Sequence, residues 1–149
     1  MRLRFSRTAD YALRAALEIA RTPDGELATR RAVARATNAP PSVVAQALAT
    51  LVRAQLLVAR AGRSGGYRLA RPAADISIYD IVSAIDTAQH AERCVLHEEA
   101  CSSHGDCPFH AVLIAAQERF LSTLRETSLA DVLDGATASL ETEPHTPDA

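Results

Sequence analysis

The chain contains no lysine and no tryptophan, and aromatic residues make up only 4% of it. With so few rings, a core must be built from Leu, Val, Ile and Ala, a set that favours helices. Exclusive use of Arg and heavy use of Ala read as genome composition bias rather than function. Apolar runs such as Ala111–Ala116 fall far short of the ~20 residues that span a bilayer. Nothing resembles a signal peptide, so the expected location is cytoplasmic, with no membrane contact. Three cysteines are present, and an odd number excludes a complete disulfide framework. Catalytic signatures are also missing: no Gly-x-Ser-x-Gly, no phosphate-binding glycine loop, no helical His-Glu-x-x-His. The expectation is that the protein is not an enzyme.

What is present is a strong asymmetry of charge. The net charge of −2 conceals thirteen Arg against four acids in residues 1–71, and three Arg against fourteen acids in residues 72–149. The halves therefore carry +9 and −11. A basic half is the electrostatic footprint of a nucleic-acid binder, although a solvated basic face gives the same count. The length of 149 residues and a hydrophobic fraction of 48% suit one domain with a real core.

Periodicity predicts a first helix from Ser6 to about Arg21, with Ala9, Leu13, Leu17 and Ala20 on its apolar face. Pro23-Asp24-Gly25 breaks it. Thr29 caps a short second helix to about Thr37. After a turn at Asn38-Ala39-Pro40, a third helix runs from Pro41 to about Ala54, with Val44, Leu48 and Leu51 inward. Two short helices across a tight turn make a helix-turn-helix. An apolar strand, 56–60, a glycine-rich turn, 61–66, that calls for positive φ, and a returning strand, 67–70, make a basic wing, with Arg60, Arg63 and Arg68 at or beside its tip. Ser77 caps a helix from Ile78 to about Asp86. Residues 88–107 lack periodicity. From Pro108 a long helix carries an apolar stripe of Phe109, Val112, Leu113, Ala116, Phe120 and Leu124. Ser128–Leu133 is a last short helix ended by Gly135.

The expected fold is mostly α: a winged helix-turn-helix with a two-stranded wing and a long C-terminal dimerisation helix. Its divisions are a DNA-binding domain at 1–72, a linking helix and cysteine loop at 73–107, the dimerisation and terminal helices at 108–135, and a disordered tail at 136–149. On the third helix, Ser42, Val43, Gln46, Thr50 and Arg53 face outward, and the start of such a helix reaches base edges in the major groove. Arg30 and Arg31, with Arg35, suit phosphates. Arg60 and Arg63 suit an adjacent minor groove or its phosphates. A winged helix used only for protein contacts is the competing reading.

Cys94, Cys101 and Cys107 form Cys-x6-Cys-x5-Cys, with His110 two residues beyond the helix-opening Pro108. Thiols clustered in one loop suit a shared iron–sulfur cluster or zinc, for which His110 completes a four-ligand set. A metal-free thiol switch and no role for the cysteines at all are the further alternatives. Cys94 with His97, or Cys107 with His110, reads better as shared metal ligation than as a nucleophile–base pair.

The chain resembles the family of winged-helix regulators that includes IscR, NsrR and RirA (the Rrf-two family). The resemblance runs from Met1 to about Gly135. It is carried by Asp10-Tyr11-Ala12-Leu13-Arg14, the wing Gly62-Arg63-Ser64-Gly65-Gly66-Tyr67, Arg71-Pro72-Ala73, Ile76-Ser77-Ile78, Asp80-Ile81-Val82, the three cysteines and Ser128-Leu129-Ala130-Asp131. It implies a homodimer on an imperfect palindromic DNA operator, usually acting as a repressor. It also implies an iron–sulfur cluster whose loss, oxidation or nitrosylation changes DNA binding. Three cysteines would hold that cluster with a fourth ligand that differs between branches. Asp10 stands where one branch places an aspartate that reaches a 4Fe–4S cluster from the other subunit. His110 stands where another branch places a histidine on a 2Fe–2S cluster. The first-helix run favours Asp10 and 4Fe–4S. Ala45 stands where some relatives carry an acidic base-discriminating residue, which implies a different target sequence.

Overall fold

The computed structural model describes residues 5–86 and 108–140. Its elements in chain order are α1 (Arg7–Ala20), α2 (Arg30–Thr37), α3 (Pro41–Arg53), β1 (Leu57–Arg60), β2 (Gly66–Leu69), a 3-10 turn at Ala73–Asp75, α4 (Ile78–Ile85), α5 (Pro108–Glu126) and α6 (Leu129–Leu140).

Ser6 starts α1 by accepting the Ala9 N–H on its hydroxyl at 3.0 Å. The buried face of α1 is Ala9, Ala12, Ala15, Ala16 and Ile19. Leu13, Leu17 and Ala20, expected on that face, lie partly buried at its flank. The reason is that α2, α3 and α4 all pack on α1. Alanine is the side chain that lets three helices approach one, so the small residues take the centre. Around them Val33, Val44, Leu48, Leu51, Leu57, Ile76, Ile81 and Leu129 close a single core.

The helix-turn-helix forms as its local signals require. Thr29 caps α2 through the Ala32 N–H at 3.2 Å, and Asn38 ends it in the left-handed region at φ 49. Proline at the first position of α3 costs nothing there, since that N–H has no helical partner. The end of α3 is a Schellman closure. Leu56 N–H reaches Leu51 O and Gln55 N–H reaches Val52 O, both at 3.0 Å. Gln55 occupies the left-handed position, φ 58, that glycine usually takes.

The wing pairs β1 with β2 antiparallel, from Leu57 opposite Leu69 to Arg60 opposite Gly66. Leu56 O still accepts the Ala70 N–H at 3.0 Å, so pairing covers the expected span. A third partner was not legible in the sequence: Ala28 exchanges two 2.9 Å backbone bonds with Tyr67, on the outer edge of β2. In the wing turn only Gly62 has positive φ, +105. Gly65 and Gly66 serve space instead. A Cβ on Gly65 would overlap the Arg60 carbonyl, and one on Gly66 would lie 2.7 Å from the Ala28 oxygen.

Two capping boxes organise the second half. Ser77 and Asp80 cap α4 reciprocally, each N–H to side-chain bond at 3.1 Å. Ser128 and Asp131 do the same for α6, at 2.8 and 3.1 Å. The two caps also meet each other as an antiparallel bridge, Ile78 N–H to Thr127 O at 2.9 Å and Leu129 N–H to Ile76 O at 2.8 Å. This plants Leu129 in the core, fully buried. Gly135 does not end α6, which continues to Leu140. A glycine inside a helix costs only ~1 kcal/mol, and the Ser128–Asp131 cap and the buried Leu129 offset it. The tail expected from residue 136 is thus helical to Leu140, and 141–149 lie outside the described residues.

The stripe on α5 divides. Phe120 and Leu124 are partly buried, with Leu124 against the core. Val112 and Ala116 are exposed, Val112 at 63%, as is Ile114 beside them at 39%. Phe109 and Leu113 have side chains outside the described part. Every described side chain in the first half of α5 is therefore exposed.

Candidate nucleic-acid interface and sensor segment

Three consecutive elements carry exposed arginines: Arg30, Arg31 and Arg35 on α2, Arg53 on α3, and Arg60, Arg63 and Arg68 on the wing. None of these seven has a carboxylate partner among the described residues. The ion-paired arginines sit elsewhere. Arg14 meets Asp10 at 3.0 Å on α1, Arg21 at the end of α1 meets Glu18 at 3.8 Å, and Arg71 meets Asp80 at 3.3 Å. Unpaired like charges repel one another, a cost relieved when a polyanion binds. Arg30 and Arg31 also occupy the first turn of α2, which has no acid to balance them. Positive charge there opposes the helix dipole, so local stability does not explain them.

The start of α3 has no side-chain cap, and the Val43 N–H donates to the Pro40 carbonyl at 3.0 Å. Of the expected base readers, Ser42 and Gln46 are exposed and four residues apart, on one face of α3. Val43 and Thr50 are half-buried. Arg53 folds back on its own helix, donating from Nη2 to Thr50 Oγ1 at 2.9 Å. On the wing, alternation puts Val58, Arg60 and Arg68 on the same side, since Arg68 opposes Val58. The sequence placed Arg68 beside the wing but could not give it that face, which depends on register.

For the sensor, Asp10 lies in the first turn of α1 with its side chain 46% exposed. Its described partner is Arg14 on the same helix, and an exposed pair of this kind is worth only ~0–1 kcal/mol. The carboxylate is therefore available to a stronger partner. His110 belongs to the first turn of α5, with its side chain outside the described part. Cys94, Cys101 and Cys107 all lie outside the described residues.

A family model described as "Rrf2: Iron-dependent Transcriptional regulator" matches residues 5–135. The chain belongs to the Rrf2 family. A Mycobacterium tuberculosis protein named as an HTH-type transcriptional regulator, Rv1287, is 33% identical over 141 residues, covering 90% of this chain and 83% of its own. YwgB of Bacillus subtilis, likewise named as an HTH-type regulator, is 26% identical over 126 residues, covering 84% and 81%. Among solved structures, IscR of T. potens superposes with a TM-score of 0.74 at 21% identity, covering 97% of this chain and 94% of its own. CymR, the global cysteine regulator of B. subtilis, gives 0.73 at 21% identity, covering 89% and 98%. This Rrf2 protein is thus a transcriptional regulator with a winged-helix DNA-binding fold, and its relatives are regulators rather than enzymes. No helix of the described residues is long and apolar enough to cross a membrane.

Proposed function

We propose that this Rrf2 regulator binds a palindromic DNA operator as a homodimer, as a repressor, and that an iron–sulfur cluster on Cys94, Cys101 and Cys107 sets its affinity. The observation that carries the DNA half is the set of unpaired arginines on α2 and the wing. Arg30, Arg31, Arg60 and Arg63 hold phosphates, and Ser42 and Gln46 meet base edges. The exposed first half of α5 supports a second copy as its cover.

For the cluster, the donor chemistry fits: three thiolates and one carboxylate or imidazole complete a four-ligand site. Asp10, exposed and only weakly held by Arg14, is the favoured fourth ligand, with a 4Fe–4S cluster. His110 with a 2Fe–2S cluster is the alternative. When bound, the cluster supplies a redox- and nitric-oxide-reactive centre. The chain's own part is to couple that centre to the spacing of two α3 helices, which must meet their half-sites together. A coupling of ~1–3 kcal/mol gives a 5–150-fold change in affinity.

The test is anaerobic purification followed by the visible spectrum and a count of iron and sulfide. About four irons per subunit and one broad band support Asp10, and about two irons with a structured spectrum support His110. Asp10→Ala should shrink the affinity difference between loaded and cluster-free protein. A colourless, iron-free protein that resists reconstitution removes the cluster, and zinc or bare thiols take its place.

A further inference from the structure

The beginning of α1 is held by two long-range contacts, and they come from the two elements that bracket the cysteine segment. On one side, Asp86 caps the end of α4, its N–H bonded to Val82 O at 2.8 Å. It is the last described residue before that segment, eight residues ahead of Cys94. Its carboxylate Oδ2 accepts the backbone N–H of Ser6 at 3.0 Å, across eighty residues of chain. On the other side, the ring of Phe120 on α5 lies 6.0 Å from the ring of Phe5. Phe5 and Ser6 are adjacent.

We infer that Asp86 is the positioning residue through which the state of the cysteine segment reaches the DNA-binding helices. The inference rests on the sensor reading given above. Ser6 is the N-cap of α1, and its hydroxyl fixes the first turn through the Ala9 N–H. A carboxylate on the Ser6 N–H makes a charge-assisted bond at the positive end of a helix. Downstream, α1 packs its alanine face directly on α3 and α2. Four of its five buried side chains are alanines, which have no rotamers to adjust, so a shift of the first turn is passed on rather than absorbed. A pull on the chain after Asp86 therefore moves the cap of α1, and α1 moves the recognition helix. The Asp86 carboxylate lies outside the arginine face and outside the proposed ligand set, so its removal separates transmission from DNA contact and from cluster binding.

The experiment uses full-length protein and a duplex enriched from a random pool by the cluster-loaded wild type. Iron content and visible spectrum report loading, and thermal melting reports folding. Asp86→Ala is expected to load the wild-type amount of iron with an unchanged spectrum. Its cluster-free form should bind the duplex as wild type does, while the loaded-to-free affinity ratio falls from the 5–150-fold range to within about twofold of unity. Asp86→Asn keeps an acceptor oxygen for the Ser6 N–H and should retain most of the ratio. If the alanine variant does not fold, Asp86→Ser, whose side chain is too short to reach the Ser6 N–H, takes its place with the same expected loss of the ratio. A wild-type ratio in a fully loaded Asp86→Ala protein overturns the inference. If the wild type binds no iron, the sensor reading fails by itself. The relay is then read by alkylating the three cysteines with iodoacetamide. Alkylation should change duplex affinity in the wild type and not in Asp86→Ala, and equal effects in both, or none in either, overturn it.

Discussion

Removing the wing arginines has a consequence that can be worked out before any operator is known. With Arg30, Arg31, Arg60 and Arg63 on phosphates, a dimer neutralises about eight, and counterion release gives log affinity a slope of about −7 against log salt. Affinity then falls ~20,000-fold between about 50 and 200 mM salt. The double substitution Arg60→Ala/Arg63→Ala removes half of these contacts. The slope drops to about −3.6 and the loss over the same range to ~150-fold. Both side chains are exposed and unpaired, so the change breaks no ion pair and should leave the melting temperature unaltered. Arg21→Ala is the control, because Arg21 faces Glu18 on α1 at 3.8 Å, and its slope should match wild type. Fluorescence anisotropy titrations at five salt concentrations measure all three proteins. A double variant whose slope stays within about 1 of the wild type refutes phosphate contact by the wing.

Three further outcomes follow from the backbone and the caps. Gly66→Ala drives a Cβ to 2.7 Å from the Ala28 oxygen and 2.9 Å from Leu27 Cβ. It should cost ~1–3 kcal/mol in a denaturant melt, and an unchanged midpoint would show that the Ala28–Tyr67 bridge is soft. Gln55→Gly relieves a left-handed residue at the end of α3 and should raise stability by ~0.5 kcal/mol after the entropy of glycine is subtracted. A lower midpoint would mean that the glutamine side chain makes up its strain. The Ser128 hydroxyl, and then the Ser128 N–H, hold the Asp131 carboxyl below its ordinary 3.8. Because the folded value is the depressed one, the stabilisation is complete above the ordinary value and fades as pH falls through the lower, folded value. Asp131→Asn should therefore melt earlier than wild type at pH 7 and converge with it in strong acid, whereas a pH-independent gap would exclude the ionised cap.

Most of the architecture could be read directly from local signals. Thr29, Pro41 and Ser77 start helices where their side chains satisfy a free N–H or their ring removes one. The glycine-rich turn makes the wing. What escaped depended on tertiary context. The leucines of α1 lost the core to alanines because three helices crowd one, and a single-helix period does not register neighbours. Ala28 joins the wing through its backbone alone, with no side-chain signature. Gly135 reads as a stop because glycine usually is one, yet the cap at Ser128 and the burial of Leu129 carry α6 past it. At the interface, the identities of the arginines were legible. Their lack of partners was not, since pairing depends on where the acids fold. The Asp86–Ser6 bond spans eighty residues and leaves no local trace.

The back-to-back caps at Ser77 and Ser128 give residues 78–127 the topology of a closed excursion, leaving and returning through one backbone bridge. Loop closure grows only logarithmically with length, about 0.6 kcal/mol for each doubling. Insertions or deletions between the cysteines therefore lengthen or shorten that loop at small cost to the bridge that closes it. A lineage can lengthen, shorten or re-ligand the sensor while inheriting the same DNA-binding body, so cysteine spacing should drift among descendants faster than the wing or the caps.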